Sequence, residues 1–197
     1  MHEHSSLLVF EGLPCCGKTS LGRHIGSMGF ADLCDEVMVP EADSALLGRR
    51  GAIENDRRKT ALAYGRRRAL ILDRYFYSTV AYEVARGKTR IDINVIGQTM
   101  LGFIRPKNIP EHEVMAWYPN ITSSIQRSHL DKEQVRGPEW RSQEFLSRFS
   151  DAYNVLFDCS NLNWLGVPCR RVYWVEEEDA LSRVISILSK SRDVALA

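Results

Sequence analysis

The chain of 197 residues predicts a three-layer α/β domain on a five-stranded parallel sheet, and two observations carry that prediction. Short apolar runs alternate with longer amphipathic segments, which is the pattern of repeated βα units. Each run is close to continuously apolar rather than alternating, as expected where helices cover both faces of a parallel sheet. The predicted strands are 6–10, 33–39, 69–73, 113–118 and 171–175. No linker, repeat or low-complexity tract divides the chain, so residues 1–197 read as one domain.

Helices are predicted over 18–28, 52–64, 75–85, 91–102, 120–128, 140–157 and 178–190. In the sixth, Phe145, Leu146, Phe149, Tyr153, Leu156 and Phe157 recur at helical spacing and read as core. The last carries Leu181, Val184, Ile185 and Leu188 on one face. It is preceded by Glu176, Glu177, Glu178 and Asp179, acids that favour a helix N-terminus. The polar interval 126–143 holds Arg127, Lys132, Arg136, Arg141 and the breaker pair Gly137-Pro138. It reads either as a short mobile lid or as a solvated connection.

Composition narrows the function. Hydrophobic residues at 44% and charged residues at 26% suffice for a buried core. The 26 Lys+Arg against 25 Asp+Glu leave a net charge of +1, which argues against a nucleic-acid or membrane-surface protein. Any anion site must therefore be built locally. Arg66, Arg67 and Arg68 precede a strand, on the edge opposite a ligand, and read as a solvated turn. Five Cys without CxxC spacing indicate neither a disulfide framework nor a zinc site. The expected location is the cytoplasm, since no signal-peptide pattern or long apolar span is present. His2 and His4 read as part of a tail.

The residues Gly12-Leu13-Pro14-Cys15-Cys16-Gly17-Lys18-Thr19 form a complete GxxxxGK[ST] between a predicted strand and a predicted helix. Backbone N–H groups of such a loop converge on phosphate oxygens, its Lys reaches the β/γ-phosphates and its hydroxyl faces Mg²⁺. The loop and Ser20, which follows it, are the expected site for ATP, with Thr19 toward the metal. Cys15 and Cys16 read as small residues fitting a tight loop, or as thiols sensitised by a helix N-terminus. At the end of the third strand, Asp73 falls on the ligand edge of the sheet, where a carboxylate can hold Mg²⁺, and Arg74 faces the same crevice.

The run Asp73-Arg74-Tyr75-Phe76-Tyr77-Ser78-Thr79-Val80-Ala81-Tyr82-Glu83 resembles the D-R-Y-x-x-S-x-x-A-Y-Q motif of thymidylate kinases, and Glu11-Gly12 resembles that family's start. Related deoxynucleoside kinases share the general plan. The resemblance covers about residues 5–160 and implies a P-loop NTPase fold with a helical lid, dimerisation, and ATP-dependent phosphorylation of a nucleotide or nucleoside. It further implies that Lys18 contacts the transferring phosphate and that Asp73 organises Mg²⁺. Arg74 would hold the acceptor, Arg127 and Arg136 would close over ATP, and Tyr75, Phe76 and Tyr82 would line the acceptor pocket. Asn55, Arg58 and Lys59 fall where related kinases place acceptor contacts.

Three positions depart from the family pattern. Pro14 stands where thymidylate kinases have an acid, Val39-Pro40-Glu41 where they have an Arg-Glu-Pro run, and Glu83 where they have Gln. Glu41 resembles the base of deoxynucleoside kinases, and it also reads as an acid at a helix start. The expected function is transfer from ATP to a nucleoside monophosphate, thymidylate-like. The alternatives are a nucleoside or other hydroxyl acceptor using Glu41 as base, and a regulatory NTPase switch. The sequence lacks the N-K-x-D motif of a guanine-reading switch.

Overall fold

The computed structural model describes residues 6–35, 45–87, 89–105, 108–130 and 138–196. The strands are β1 Leu7–Glu11, β2 Asp32–Cys34, β3 Leu70–Asp73, β4 His112–Trp117 and β5 Cys169–Val175. They form one sheet in the order β2-β3-β1-β4-β5, and every pairing is parallel. The central strand β1 pairs with β3 so that Phe10 lies opposite Asp73, and with β4 so that Glu11 lies opposite Ala116. Carboxyl ends of three strands therefore finish side by side.

Alternation along each strand divides the core between the two faces. Leu7, Val9, Leu70, Leu72, Val114 and Ala116 pack on one side, and Leu8, Phe10, Ile71, Met115 and Trp117 on the other. The first face is covered by α3 (Phe76–Arg86), α4 (Ile93–Leu101) and α6 (Gln143–Leu156), and the second by α1 (Lys18–Ser27) and α8 (Ala180–Leu196). With both faces covered, neither half of the period-two pattern can be polar, hence the continuous apolar runs. No helix among the described residues is long and apolar enough to cross a membrane.

The structure changes several predicted boundaries. Helix α2 runs over Ala45–Gly65 and starts before the predicted 52. Gly48 and Gly51 had obscured its first turns; a helical Gly costs roughly 1 kcal/mol relative to Ala, which tertiary packing readily absorbs. Strand β2 occupies Asp32–Cys34, and residues 36–44 lie outside the described residues. The predicted helix 140–157 is instead a 3₁₀ turn, Pro138–Arg141, followed by α6. Ser142 is the break, because its hydroxyl caps α6 by accepting the Phe145 N–H. Before the 3₁₀ turn comes α5 (Ile121–Leu130), and beyond α6 comes α7 (Cys159–Trp164). The second escaped the sequence because six residues are too few for a period, although the Asp158 cap is plain once seen.

His112 at the start of β4 ties the sheet to α3. The Pro110 carbonyl can only accept, so Nδ1–H donates to it at 2.8 Å and Nε2 accepts from the Tyr77 hydroxyl at 2.8 Å. Burial lowers the imidazole pKa to about 4, and the nearby Arg66 charge acts in the same direction. A His whose folded pKa lies below its unfolded value supports the fold above the unfolded value, near 6.5, and loses that support as pH falls toward 4. The loss approaches about 3 kcal/mol at full protonation. Urea unfolding of wild type and His112→Gln at pH 7, 5.5 and 4 measures this: the wild-type advantage should shrink by that amount on acidification. A difference independent of pH would refute it.

Candidate active site

The phosphate loop leaves β1 at Glu11 and enters α1 at Lys18 through three residues with positive φ, Gly12 (153°), Cys15 (59°) and Gly17 (85°). A Cβ at Gly12 would meet the Trp117 Cβ at 3.0 Å and the Cys16 Sγ at 3.3 Å, so only glycine lets the loop turn against β4. Gly17 precedes α1 and offers no side chain to cap it. The first amides of the helix are thus left to face the loop, which is the standard anion-binding arrangement.

Lys18 is buried and folded back over this loop, donating to the carbonyls of Leu13 at 2.7 Å and Gly12 at 3.3 Å, with the Cys16 Sγ at 3.2 Å. Thr19 donates its hydroxyl to Asp73 Oδ2, joining the start of α1 to the end of β3. Asp73 is fully buried, and its Oδ1 has no hydrogen-bond partner among the described residues. A buried carboxylate oxygen left bare beside a hydroxyl oxygen is a fitting environment for a hard divalent cation such as Mg²⁺, which takes oxygen ligands. Thr19 and Asp73, the two residues expected to hold the metal, are therefore adjacent.

Helix α5 closes one side of the loop. Ser124 donates to the Pro14 carbonyl, and Arg127, one turn on, donates to the Cys15 carbonyl at 3.0 Å. Arg127 also pairs with Glu177 at 2.8 Å. Glu177 Oε1 lies 3.3 Å from where a Gly17 Cβ would sit, so its carboxylate hangs over the phosphate cradle. Glu177 belongs to the acidic run read as a helix start. In the structure α8 begins only at Ala180, and Glu177 instead faces the loop. Its signal in the sequence was position: it lies two residues beyond Val175, the end of β5, and therefore on the ligand edge of a parallel sheet. A cavity of about 590 Å³ extends from Lys18, Thr19 and Ser20 past Trp117 and Arg127 to Glu177 and Leu181.

Beside the loop, the chain turns sharply at Arg74, whose φ of 62° is rare for a residue with a side chain. Four contacts hold the turn. The Arg74 N–H donates to the Phe10 carbonyl at 3.0 Å, and the Tyr75 N–H donates to Glu11 Oε1 at 2.7 Å. Lys59 on α2 donates to the Asp73 carbonyl at 2.6 Å and the Arg74 carbonyl at 2.7 Å. The expectation that Lys59 contacts an acceptor gives way to this role: its ammonium is buried and spent on backbone oxygens.

Three other acceptor-side expectations change in the same way. Tyr75 and Phe76 are core residues, 1% and 0% exposed, and line no open pocket; the Tyr75 hydroxyl meets Thr60 at 2.5 Å. Tyr82 stacks on Trp140 with ring centroids 5.4 Å apart and donates to Glu139 at 2.5 Å, so it braces the 3₁₀ turn. Asn55 has a buried Oδ1 without a partner among the described residues, and Arg58 is exposed. Next to Asn55, Asp56 is buried and accepts from Thr79 at 2.8 Å. Desolvation raises its pKa to about 7 despite that bond. Glu41 and Arg136 lie outside the described residues.

No protein-family model matches the chain, and no curated protein matches it in sequence. Solved structures do resemble it. Deoxyadenosine kinase from M. mycoides aligns with a TM-score of 0.66 and 12% identity, over 93% of this chain and 99% of that one. Thymidylate kinase from Candida albicans gives 0.57 and 15%, over 95% and 92%. Shikimate kinase from Acinetobacter baumannii gives 0.53 and 13%, over 95% and 95%. With its five parallel strands, helices on both faces and phosphate loop after β1, the chain has the P-loop NTPase fold of these kinases.

Proposed function

We propose that the chain is a kinase that uses ATP and Mg²⁺ to phosphorylate a nucleoside monophosphate of the thymidylate type. The observation that carries this reading is the Thr19–Asp73 contact beneath the phosphate loop, with the second Asp73 oxygen bare and buried. Thr19 and Asp73 would hold Mg²⁺, which supplies charge neutralisation at the β- and γ-phosphates when bound. Phosphoryl transfer asks the protein chiefly to position reactants and stabilise charge. The loop amides bind the phosphates. Lys18 exchanges the Gly12 and Leu13 carbonyls for phosphate oxygens, and Arg127 exchanges Glu177 for them. Arg74, at the end of β3, stands on the side where an acceptor must approach, and the polar interval 126–143 serves as the lid that excludes water.

A monophosphate acceptor is already anionic and needs no base, whereas a hydroxyl benefits from a carboxylate that can take its proton. Neither carboxylate at the ends of β1 and β3 is free to act as a base in this reading: Glu11 accepts from Tyr75, Ser78 and Tyr153, and Asp73 accepts from Thr19 at Oδ2 and offers its bare Oδ1 to Mg²⁺. That supports the phosphate acceptor. Incubation with ATP·Mg²⁺ and separate panels of monophosphates, nucleosides and hydroxylated small molecules is the direct test, with phosphorylation expected in the first. ATP hydrolysis with no acceptor phosphorylated in any panel would make the chain a switch-like NTPase instead. Glu41→Gln refines the result: near-normal turnover is expected with a phosphate acceptor, and a severe loss would indicate a hydroxyl.

Nucleotide binding has its own signature. Glu177→Gln removes a negative charge from the phosphate cradle and should tighten ATP several-fold in a fluorescent-nucleotide titration. Lys18→Ala should weaken it about 10-fold or more, the scale of one charge-assisted contact to phosphate. Weaker binding in the Glu177 variant would mean that the carboxylate helps to hold ATP rather than competing with it.

A further inference from the structure

The fully buried carboxylate of Glu11 has no place in the proposed transfer, yet it lies at the end of β1, one residue before the phosphate loop. Three donors converge on it. Oε1 accepts the Tyr75 N–H at 2.7 Å, and Oε2 accepts the Ser78 hydroxyl at 2.5 Å and the Tyr153 hydroxyl at 2.7 Å. The donors come from α3 and its cap and from α6, so one charge gathers three elements.

The polarity of this network is fixed by proton counting. A carboxylate only accepts, so Ser78 and Tyr153 each direct their single hydroxyl proton to Glu11. That leaves the Ser78 oxygen as an acceptor, and it receives Arg74 Nη1–H at 2.9 Å. The chain of bonds therefore runs from guanidinium to serine to carboxylate, with unlike charges at its ends. Such charge-assisted bonds are stronger than neutral ones and reinforce one another out of water. Burial pushes the Glu11 pKa up, and the Arg74 charge pulls it back. Arg74 is the residue placed toward the acceptor, and its backbone already occupies a left-handed turn, so the direction of its side chain depends on what its other end grips.

We propose that Glu11, acting through Ser78 and steadied by Tyr153, is a positioning residue that aims the Arg74 guanidinium at the acceptor. The inference rests on the kinase reading above. Glu11 does not serve as a base in it, because its carboxylate is fully buried and both oxygens are held by protein donors.

The test is steady-state phosphorylation kinetics by the full chain, with the best acceptor from the panels. Tyr153→Phe keeps the ring stacked on Phe157 and removes one donor to the carboxylate. Acceptor kcat/KM should fall about 10-fold, the scale of a misplaced positioning group, while the KM for ATP holds and the circular-dichroism spectrum at the assay temperature stays that of the folded wild type. Ser78→Ala should cost more, and Ser78→Thr, which restores the hydroxyl, should recover most of the loss. A double-mutant cycle of Ser78→Ala with Arg74→Lys separates aiming from folding: losses well short of additive place both residues in one chain of action. Additive losses, or ATP and acceptor parameters moving together, overturn this inference and leave the kinase reading intact. Wild-type protein that phosphorylates no acceptor overturns both.

Discussion

The site depends on one pairing, the parallel alignment of β1 with β3 that sets Phe10 opposite Asp73. Strands in a parallel pair run the same way, so their carboxyl ends emerge together and the loops that follow share one edge. The phosphate loop leaves from one strand and the Asp73-Arg74 turn from the other. A slip of one residue would send every side chain of β3 to the opposite face. Leu70 and Leu72 would lose their partners, and Thr19 could no longer reach Asp73. Burial of leucines in the core thus fixes the geometry of a polar site some residues away.

That edge concentrates charge where water is scarce. Glu11, Lys18, Lys59, Asp73 and Arg74 are all buried, and an ion buried without compensation costs several kcal/mol. At the two lysines the structure meets this cost with backbone carbonyls, and at Glu11, Asp73 and Arg74 mainly with hydroxyl groups. Lys59 takes two carbonyls at the β3 turn, and Lys18 takes two in the phosphate loop. The two lysines differ in what they hold. The carbonyls under Lys59 belong to a strained turn and keep it in place, whereas those under Lys18 belong to a loop built to receive anions. In the proposed kinase the first contact stays as scaffolding, and the second is exchanged when phosphate arrives.

Arg127 and Glu177 extend the same logic to the rim. Both are substantially exposed, so their attraction is screened and modest. A weak contact suits a group that, in the proposed transfer, changes partners on each cycle. By contrast the Glu11, Ser78 and Tyr153 network is largely buried and densely bonded, as befits groups that stay still while others move.

The sequence by itself determined the sheet, the phosphate loop and the residues at its heart. Five apolar runs separated by amphipathic segments leave few alternatives to a covered parallel sheet, and GxxxxGK[ST] between strand and helix allows one loop geometry. Asp73 was legible because the end of a parallel strand is a position that local pattern reveals. Only the tertiary structure decided which nearby polar residues serve the site and which serve the scaffold. Lys59, Tyr75 and Phe76 look like acceptor contacts in a linear reading, and they are buried locks and core because α2 and α3 turn them inward. Glu177 looked like a helix start and faces the Gly12–Thr19 loop, because β5 ends on that edge of the sheet. Tyr153 was one more aromatic in a stripe, and its hydroxyl lies 142 positions from its partner Glu11 in the chain. A side chain's type and spacing are local properties, while the atoms that it meets depend on how distant elements pack, and no window along the sequence contains that information.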